Sequence, residues 1–433
     1  MPDDMRVRRL TLEVFTRVRD GWKFATDILA DIFRREYDLG EPERAVVVAA
    51  SKDMIRFASK IDYALEHGGM GPGDRTADLA RYLTARLWQG DIGIDEAVKY
   101  APRFDWKKVL AIEAAIDAIP NPARRFALRH AIPEWLATRV LSQYGESADP
   151  LFRALNQTAP RTLRANLLKG DRDALVGALA DEGVAATKER WSPTALSVPL
   201  TVGIFRTRAF YAGLFEVQDE ASQLCIETVL APPKGKVVET CAGAGGKSLG
   251  IAAAMRGKGT ILALDIAESK LADLRERARR AGAFQIQAQA TVPDSWSEEH
   301  AKRIAAADRV LIDAPCSGTG SWRRKPEGKW QLDPEDVDRL KAVQADLLRR
   351  AAALIAPGAR IIYATCSLLR EENEAQVESL LGERADLELV RLAELWGAER
   401  AAPLADPSGA YLVPAPDRHG TDGFFAAVLR KKR

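Results

Sequence analysis

The chain has 433 residues, more than one hydrophobic core usually organises, so two or three domains are expected. Its 63 basic and 61 acidic side chains leave a net charge of only +2, which excludes attraction to nucleic acid by global charge and leaves that task to local patches. Four cysteines and four histidines lack the close pairing of a structural zinc site, no apolar run approaches the roughly 18 residues of a membrane span, and the opening MPDDMRVRRLTLEVF has no signal core. A metal-free cytoplasmic protein with no membrane contact, working as a monomer, is the expectation.

Up to residue 142 the pattern has helical period. Val47, Ala50, Met54, Phe57 and Ile61 recur at steps of three and four, with Lys52, Asp53, Arg56 and Lys60 between them, one apolar stripe on a polar rod. Breaks at HGGMGPGD (67–74) and IPNPARR (119–125) punctuate an all-helical domain. From 143 to 215, shorter apolar runs and many turn residues predict a small α/β segment carrying Arg161, Arg164, Lys169, Arg206 and Arg208. Over 216–433, KVVETC, TILALD, QIQAQA, DRVLID, RIIYAT, LELVRL and FFAAVLRK alternate in most cases with helical stretches. That alternation predicts an α/β domain with a largely parallel sheet whose last runs close antiparallel, and ligands belong at the carboxyl ends of such strands.

CAGAGGKS (241–248) follows the first of these strands. A triphosphate loop needs a glycine five residues before Gly246, where this chain has Cys241, so the turn-forming residue is missing. Gly243, Gly245 and Gly246 still let the backbone turn sharply and approach a ligand, and Asp265 stands nineteen residues past Gly246 at the tip of the second strand. A carboxylate there grips ribose hydroxyls in dinucleotide folds and their relatives, so the loop suits a nucleoside. Enzymes of nicotinamide and of S-adenosylmethionine (SAM) both use this arrangement.

DRVLIDAPCSGTG places Asp313 and Cys316 where a buried strand runs out into a Gly/Ser loop, and GARIIYATCS does the same for Cys366. A lone free cysteine is ordinarily a small buried hydrophobe, which accounts for Cys225 and is adequate for Cys241. Two thiols at two strand ends beside a nucleoside loop point instead to chemistry. The C5 of a pyrimidine is too weak a nucleophile to take a methyl group. Thiolate attack at C6 turns the ring into an enamine whose C5 can accept methyl from a sulfonium, after which the C5 proton and the thiol must leave.

VVETCAGAGGKS, LDIAESKL, DAPCSGTGSWRRKPEGKW, YATCSLLREENE, FEVQDEASQL and HGTDGFFAAVLRKK, in these residue types, resemble the motifs of the RNA cytosine-5 methyltransferases of the RsmB/NSUN family. The resemblance implies a Rossmann-like SAM-dependent domain with a seven-stranded, mostly parallel sheet. It implies Cys366 as nucleophile, Cys316 as the group that promotes product release, and Asp313 beside cofactor and base. Cys241, Ala242, Gly243, Ala244, Gly245, Gly246 and Lys247 would wrap SAM, Asp265 would take its ribose, and Lys247 would also face the target base. Where relatives carry an Asp near adenine, this chain has Thr291, with Gln289 and Asp294 nearby. ERAVVVAASKDMIRFASKIDYAL, GIDEAVKYA and KKVLAIEAAIDAI are similar to the helical fold of the antitermination factor NusB. With HAIPEWLATRVL and LRANLLKG, they follow the bacterial small-subunit ribosomal RNA methyltransferases, which carry a NusB-like domain and an RNA-recognition-like segment ahead of the catalytic one.

After the PCS loop, Arg323, Arg324, Lys325 and Lys329 interleave with Trp322 and Trp330, the pairing of phosphate attraction and stacking expected for a splayed single strand of RNA. Arg124, Arg125, Arg129, Arg161 and Arg164 extend that track. Three other readings compete with a ribosomal RNA target: a transfer RNA cytosine-5 methyltransferase, a DNA cytosine methyltransferase and a non-catalytic RNA-binding assembly factor. Retention of TCS argues against the DNA enzyme, and retention of both thiols against the assembly factor.

Overall fold

The computed structural model describes residues 5–21, 23–71 and 76–433; of the expected break at 67–74, residues 72–74 lie outside the described residues. The chain divides into two compact units, Met1–Thr158 with Trp322–Pro334, and Ala159–Ser321 with Glu335–Arg433.

The first unit is helical. Val47, Ala50, Met54 and Ile61 are buried, as their spacing requires, but the rod is broken: one helix, Glu41–Arg56, ends at Phe57 and another, Ala58–His67, begins. Arg56, expected on the polar face, is buried, paired with Asp53 and donating to the Arg323 carbonyl at 3.2 Å. The expected boundary after residue 142 falls inside the helix Glu134–Tyr144, and the helix Ala148–Leu155 also belongs to this unit.

Trp322–Pro334 groups with the helical unit, and for Trp322, Arg323 and Lys329 burial corrects the expectation of an RNA track. Trp322 and Lys329 are each 1% exposed, and Arg323 is buried. Trp322 meets Phe152 edge to face at 6.5 Å, and the Trp330 indole N–H donates to the Ile55 carbonyl at 3.0 Å. Lys329 Nζ donates to the Arg56 and His130 carbonyls, each at 3.2 Å, and to Asn156 Oδ1 at 2.5 Å. An ammonium has three donors, so none is left for a phosphate. Burial, with Arg56 adding to it, holds Lys329 well below the usual lysine range. Arg324 is half-buried and its carbonyl accepts from Lys52, while Lys325 is exposed beside the Phe24 ring.

The second unit opens with a four-stranded antiparallel sheet of β1 (Arg161–Ala165), β2 (Thr187–Lys188), β3 (Ala195–Val198) and β4 (Phe215–Val217), in the order β2-β3-β1-β4. The seven expected strands follow as β5 (Lys236–Glu239), β6 (Thr260–Asp265), β7 (Ile286–Ala290), β8 (Arg309–Asp313), β9 (Arg360–Thr365), β10 (Leu387–Val390) and β11 (Phe425–Lys431). They form one sheet, β10-β11-β9-β8-β5-β6-β7, in which only β11 runs antiparallel to its neighbours. Both faces are apolar. Val310, Ile312, Ile361 and Tyr363 pack to one side with Leu347, Leu348 and Ala351, and Leu311, Ile362 and Ala364 to the other with Leu224, Ile251 and Leu271. Burial on both sides is why β6, β8 and β9 read as apolar runs, while the edge strand β7 is half-buried and carries two glutamines.

Candidate active site

The chain winds outward through β5, β6 and β7, then returns at β8 on the opposite side of β5. Such a switch point opens a crevice at the carboxyl ends of the two strands. The glycine loop after β5, Asp265 at the end of β6, Asp313 at the end of β8 and Cys366 just past β9 all stand at that end.

Within the loop Gly243 and Gly245 have φ of +54° and +77°, in the left-handed region that favours glycine. A Cβ on Gly245 would lie 1.9 Å from Leu274 Cδ1, whereas one on Gly243 would meet nothing within 4 Å. Gly243 N–H donates to Asp265 Oδ2 at 2.7 Å, and Asp265 Oδ1 accepts from Ala267 N–H at 2.9 Å, so the strand-tip carboxylate braces the turn. Two arginines grip the loop carbonyls: Arg277 donates to Ala244 at 2.5 Å and Arg164 to Gly246 at 2.7 Å. Arg164 comes from β1, is buried, and burial pushes it down to about 10. It therefore holds the loop and is no part of a solvent-facing RNA track, while Arg161 is engaged with the Val202 and Leu200 carbonyls.

Lys247, at the start of the helix Gly246–Ala254, reaches Asp313 Oδ2 at 2.6 Å and lies 5.1 Å from the centre of the Phe424 ring. Burial works against its charge, but Asp313, with Cys225 and Glu239 adding to it, outweighs that and the ammonium is held above its ordinary range. Beside it, Glu239 is fully buried; one carboxyl oxygen bonds Ser248, and Oε1 has no partner among the described residues. Burial pushes Glu239 up to about 8. The strand-tip carboxylate Asp265, the unpartnered Glu239 Oε1 and the open space over Gly243 suit a ligand with hydroxyls and an ammonium. Ala242 is buried beneath the loop. Cys241 is half-buried against the core and Cys225 wholly buried, and burial pushes both thiols up to about 12. At β7, Thr291 Oγ1 is occupied by the Ser295 carbonyl and Gln289 by His300.

Cys316 Sγ and Cys366 Sγ are 3.4 Å apart. Their loops are laced together: Gly320 N–H donates to the Cys366 carbonyl and Gly423 N–H to the Gly320 carbonyl, each at 2.9 Å. A Cβ on Gly320 would fall 2.1 Å from the Gly423 oxygen, so HGTDGFF can pack here only against glycine. The same segment ties to FEVQDEASQL, since Asp219 Oδ1 caps the helix Glu220–Val229 and accepts from Asp422 N–H at 3.1 Å. The hydrogen bond with Cys366, then burial, raise Cys316 well above the ordinary thiol range. Sequence reasoning missed Glu239, Arg277 and Glu372, the last a buried carboxylate between the two cysteine loops.

Residues 227–430 match the family described as 16S rRNA methyltransferase RsmB/F, and residues 132–204 match the RsmF/B-like ferredoxin-like domain. The chain is 34% identical to a probable ribosomal RNA small subunit methyltransferase B of Bacillus subtilis, over 98% of this chain and 99% of that one. Among solved structures it resembles PH0851, with a TM-score of 0.80 at 24% identity over the whole of both chains. It also resembles a methyltransferase homolog protein from Pyrococcus horikoshii, with a TM-score of 0.61 at 26% identity over 72% of this chain and all of that one. No helix among the described residues is long and apolar enough to cross a membrane. With a relative this similar along nearly its whole length, the chain belongs to the RsmB/F family of small-subunit ribosomal RNA methyltransferases.

Proposed function

We propose that the enzyme moves a methyl group from SAM to C5 of a cytosine in small-subunit ribosomal RNA, through a transient bond between Cys366 and C6 of the base. The observation that carries this reading is the pair of sulfurs 3.4 Å apart at the ends of adjacent parallel strands. Neither a hydride-transfer site nor a simple methyl-transfer site has a use for a sulfur nucleophile, whereas in C5 methylation one thiol can add to the ring and its neighbour can assist its release.

Asp265, the unpartnered oxygen of Glu239 and the backbone of Cys241–Gly246 would hold the cofactor, which when bound would supply an electrophilic methyl on a sulfonium and, as the methyl–sulfur bond breaks, keep that electron pair and leave as the neutral thioether. Cys366 as thiolate adds to C6, and the electron pair of the C5–C6 double bond becomes available at C5 to form the new C–C bond. A base then removes the C5 proton, the double bond reforms and the C6–S bond breaks, returning Cys366 as thiolate; Cys316, at van der Waals distance from it, assists this release. Asp313, held by Lys247, faces the ring, where it can accept a hydrogen bond from the cytosine amino group. The cytosine must leave its stack to reach the cleft, which favours exposed loops or incompletely assembled RNA.

Bisulfite sequencing of ribosomal and transfer RNA from cells with and without this chain tests the reading. A cytosine of small-subunit RNA that loses protection only in the deletion strain is expected. Loss confined to transfer RNA, or no change in either, would refute it.

A further inference from the structure

Glu372 lies in the tight turn Arg370–Glu372 that follows the TCS motif, and its side chain is wholly buried. Its Oε1 accepts from Ser317 N–H at 2.8 Å and from the Gln344 amide at 3.0 Å. Its Oε2 accepts from the hydroxyls of Ser317 and Ser367. Ser317 follows Cys316 and Ser367 follows Cys366. One carboxylate therefore receives four hydrogen bonds and joins the residue after each thiol. No Lys, Arg or His pairs with it among the described residues, so its charge is compensated by these dipoles alone and is felt by its neighbours. The backbone carbonyl of the same residue takes the Tyr363 hydroxyl from β9 at 2.5 Å, which pins the turn to the sheet.

We propose that Glu372 is the positioning residue that divides the labour between the two cysteines: it locks their loops in register and keeps the proton on Cys316, leaving Cys366 to act as nucleophile. The inference rests on the proposed cysteine chemistry. Two adjacent thiols share their protons, and the one that is thiolate attacks. Glu372 is among the groups that raise Cys316, after its hydrogen bond to Cys366, its burial and the charge of Cys366. A neutral Cys316 also suits release, since its S–H can donate a hydrogen bond to the departing Cys366 thiolate and a second thiolate could only repel it.

Glu372→Gln separates charge from geometry. The amide oxygen can stay with Ser317 N–H and Gln344, and its NH2 can face the serine hydroxyls, which accept as well as donate. The experiment is alkylation of the full chain by iodoacetamide across pH, with each cysteine followed by peptide mass spectrometry. In the wild type the midpoint pH for Cys316 is higher than that for Cys366. In Glu372→Gln the Cys316 midpoint falls toward that of Cys366, so alkylation of Cys316 near neutral pH speeds up several-fold. Methylation by this variant shows a lower kcat with KM for SAM and RNA within about twofold. Enzyme–RNA adduct accumulates as it does in Cys316→Ala.

An unchanged Cys316 midpoint in Glu372→Gln, or adduct with Cys316→Ala but none with Glu372→Gln, overturns the proposal. Adduct in neither variant refutes the cysteine chemistry instead, while the alkylation midpoints still judge Glu372 on its own. Should Glu372→Gln fail to fold, the wild type decides: a lower midpoint for Cys316 than for Cys366 overturns the proposal.

Discussion

Lys247 and Asp313, sixty-six residues apart in sequence, form one ion pair, with Nζ 2.6 Å from Oδ2 and side chains 7% and 29% exposed. The pair joins the start of the glycine-loop helix to the end of β8, across the switch point of the sheet. Removing one partner of a buried pair strands the other, and the better buried partner suffers more. Asp313→Asn is therefore expected to destabilise the chain by about 3 kcal/mol and Lys247→Met by less, because Asp313 keeps contact with water. Urea denaturation of the two variants and the double variant measures this, and equal losses would contradict it.

Stability should respond to pH with opposite slopes in the two units. Glu239, pushed up to about 8 by burial, is protonated in the fold at pH values where the unfolded chain has released that proton. Its contribution is full below the ordinary carboxylic-acid pKa of 4.5 and is lost as pH rises toward about 8. His130 is pushed down to about 4 by burial, against the pull of Asp149, so its contribution is full above the ordinary 6.5 and is lost as pH falls toward about 4. Glu239→Gln should flatten the alkaline slope of Tm alone, and His130→Asn the acid slope alone.

Alanine at the two left-handed loop glycines should have unequal effects. Gly243→Ala carries only the cost of an alanine at positive φ, about 1–2 kcal/mol. Gly245→Ala adds a collision with Leu274, so both stability and SAM binding fall further. Calorimetric titration of SAM into the two variants checks the order.

Lys329 separates an RNA contact from a core anchor. As an anchor with three satisfied acceptors, Lys329→Met lowers Tm by several degrees and leaves the salt dependence of RNA affinity unchanged. As a phosphate contact, its loss would reduce the slope of log K against log salt by about 1. RNA titrations at several salt concentrations distinguish the two.

The methyltransferase sheet is legible in the sequence because strands buried on both faces must be continuously apolar, and their alternation with helices dictates parallel order. The meeting of Cys316 and Cys366 follows from that order, since β8 and β9 are neighbours. The burial of Trp322, Arg323 and Lys329 is not legible. A run of cations and tryptophans reads as a wet surface, and only contacts to Asn156 and Arg56, 173 and 273 residues away, neutralise that reading. Glu372 is hidden for a different reason. REENE offers three glutamates, and nothing local tells that Glu371 pairs with Lys341 near the surface while Glu372 turns inward to the serines. Arg164 likewise looks like one more surface arginine until β1 brings it to the Gly246 carbonyl.

The most direct test of the division of roles between the two sulfurs is denaturing electrophoresis of the enzyme with labelled ribosomal RNA and SAM. Cys316→Ala is predicted to give a stable protein–RNA band. Cys366→Ala and the double variant are predicted to give none and to be inactive. Methylation at the wild-type rate by Cys366→Ala, or a band that survives in the double variant, would contradict the account.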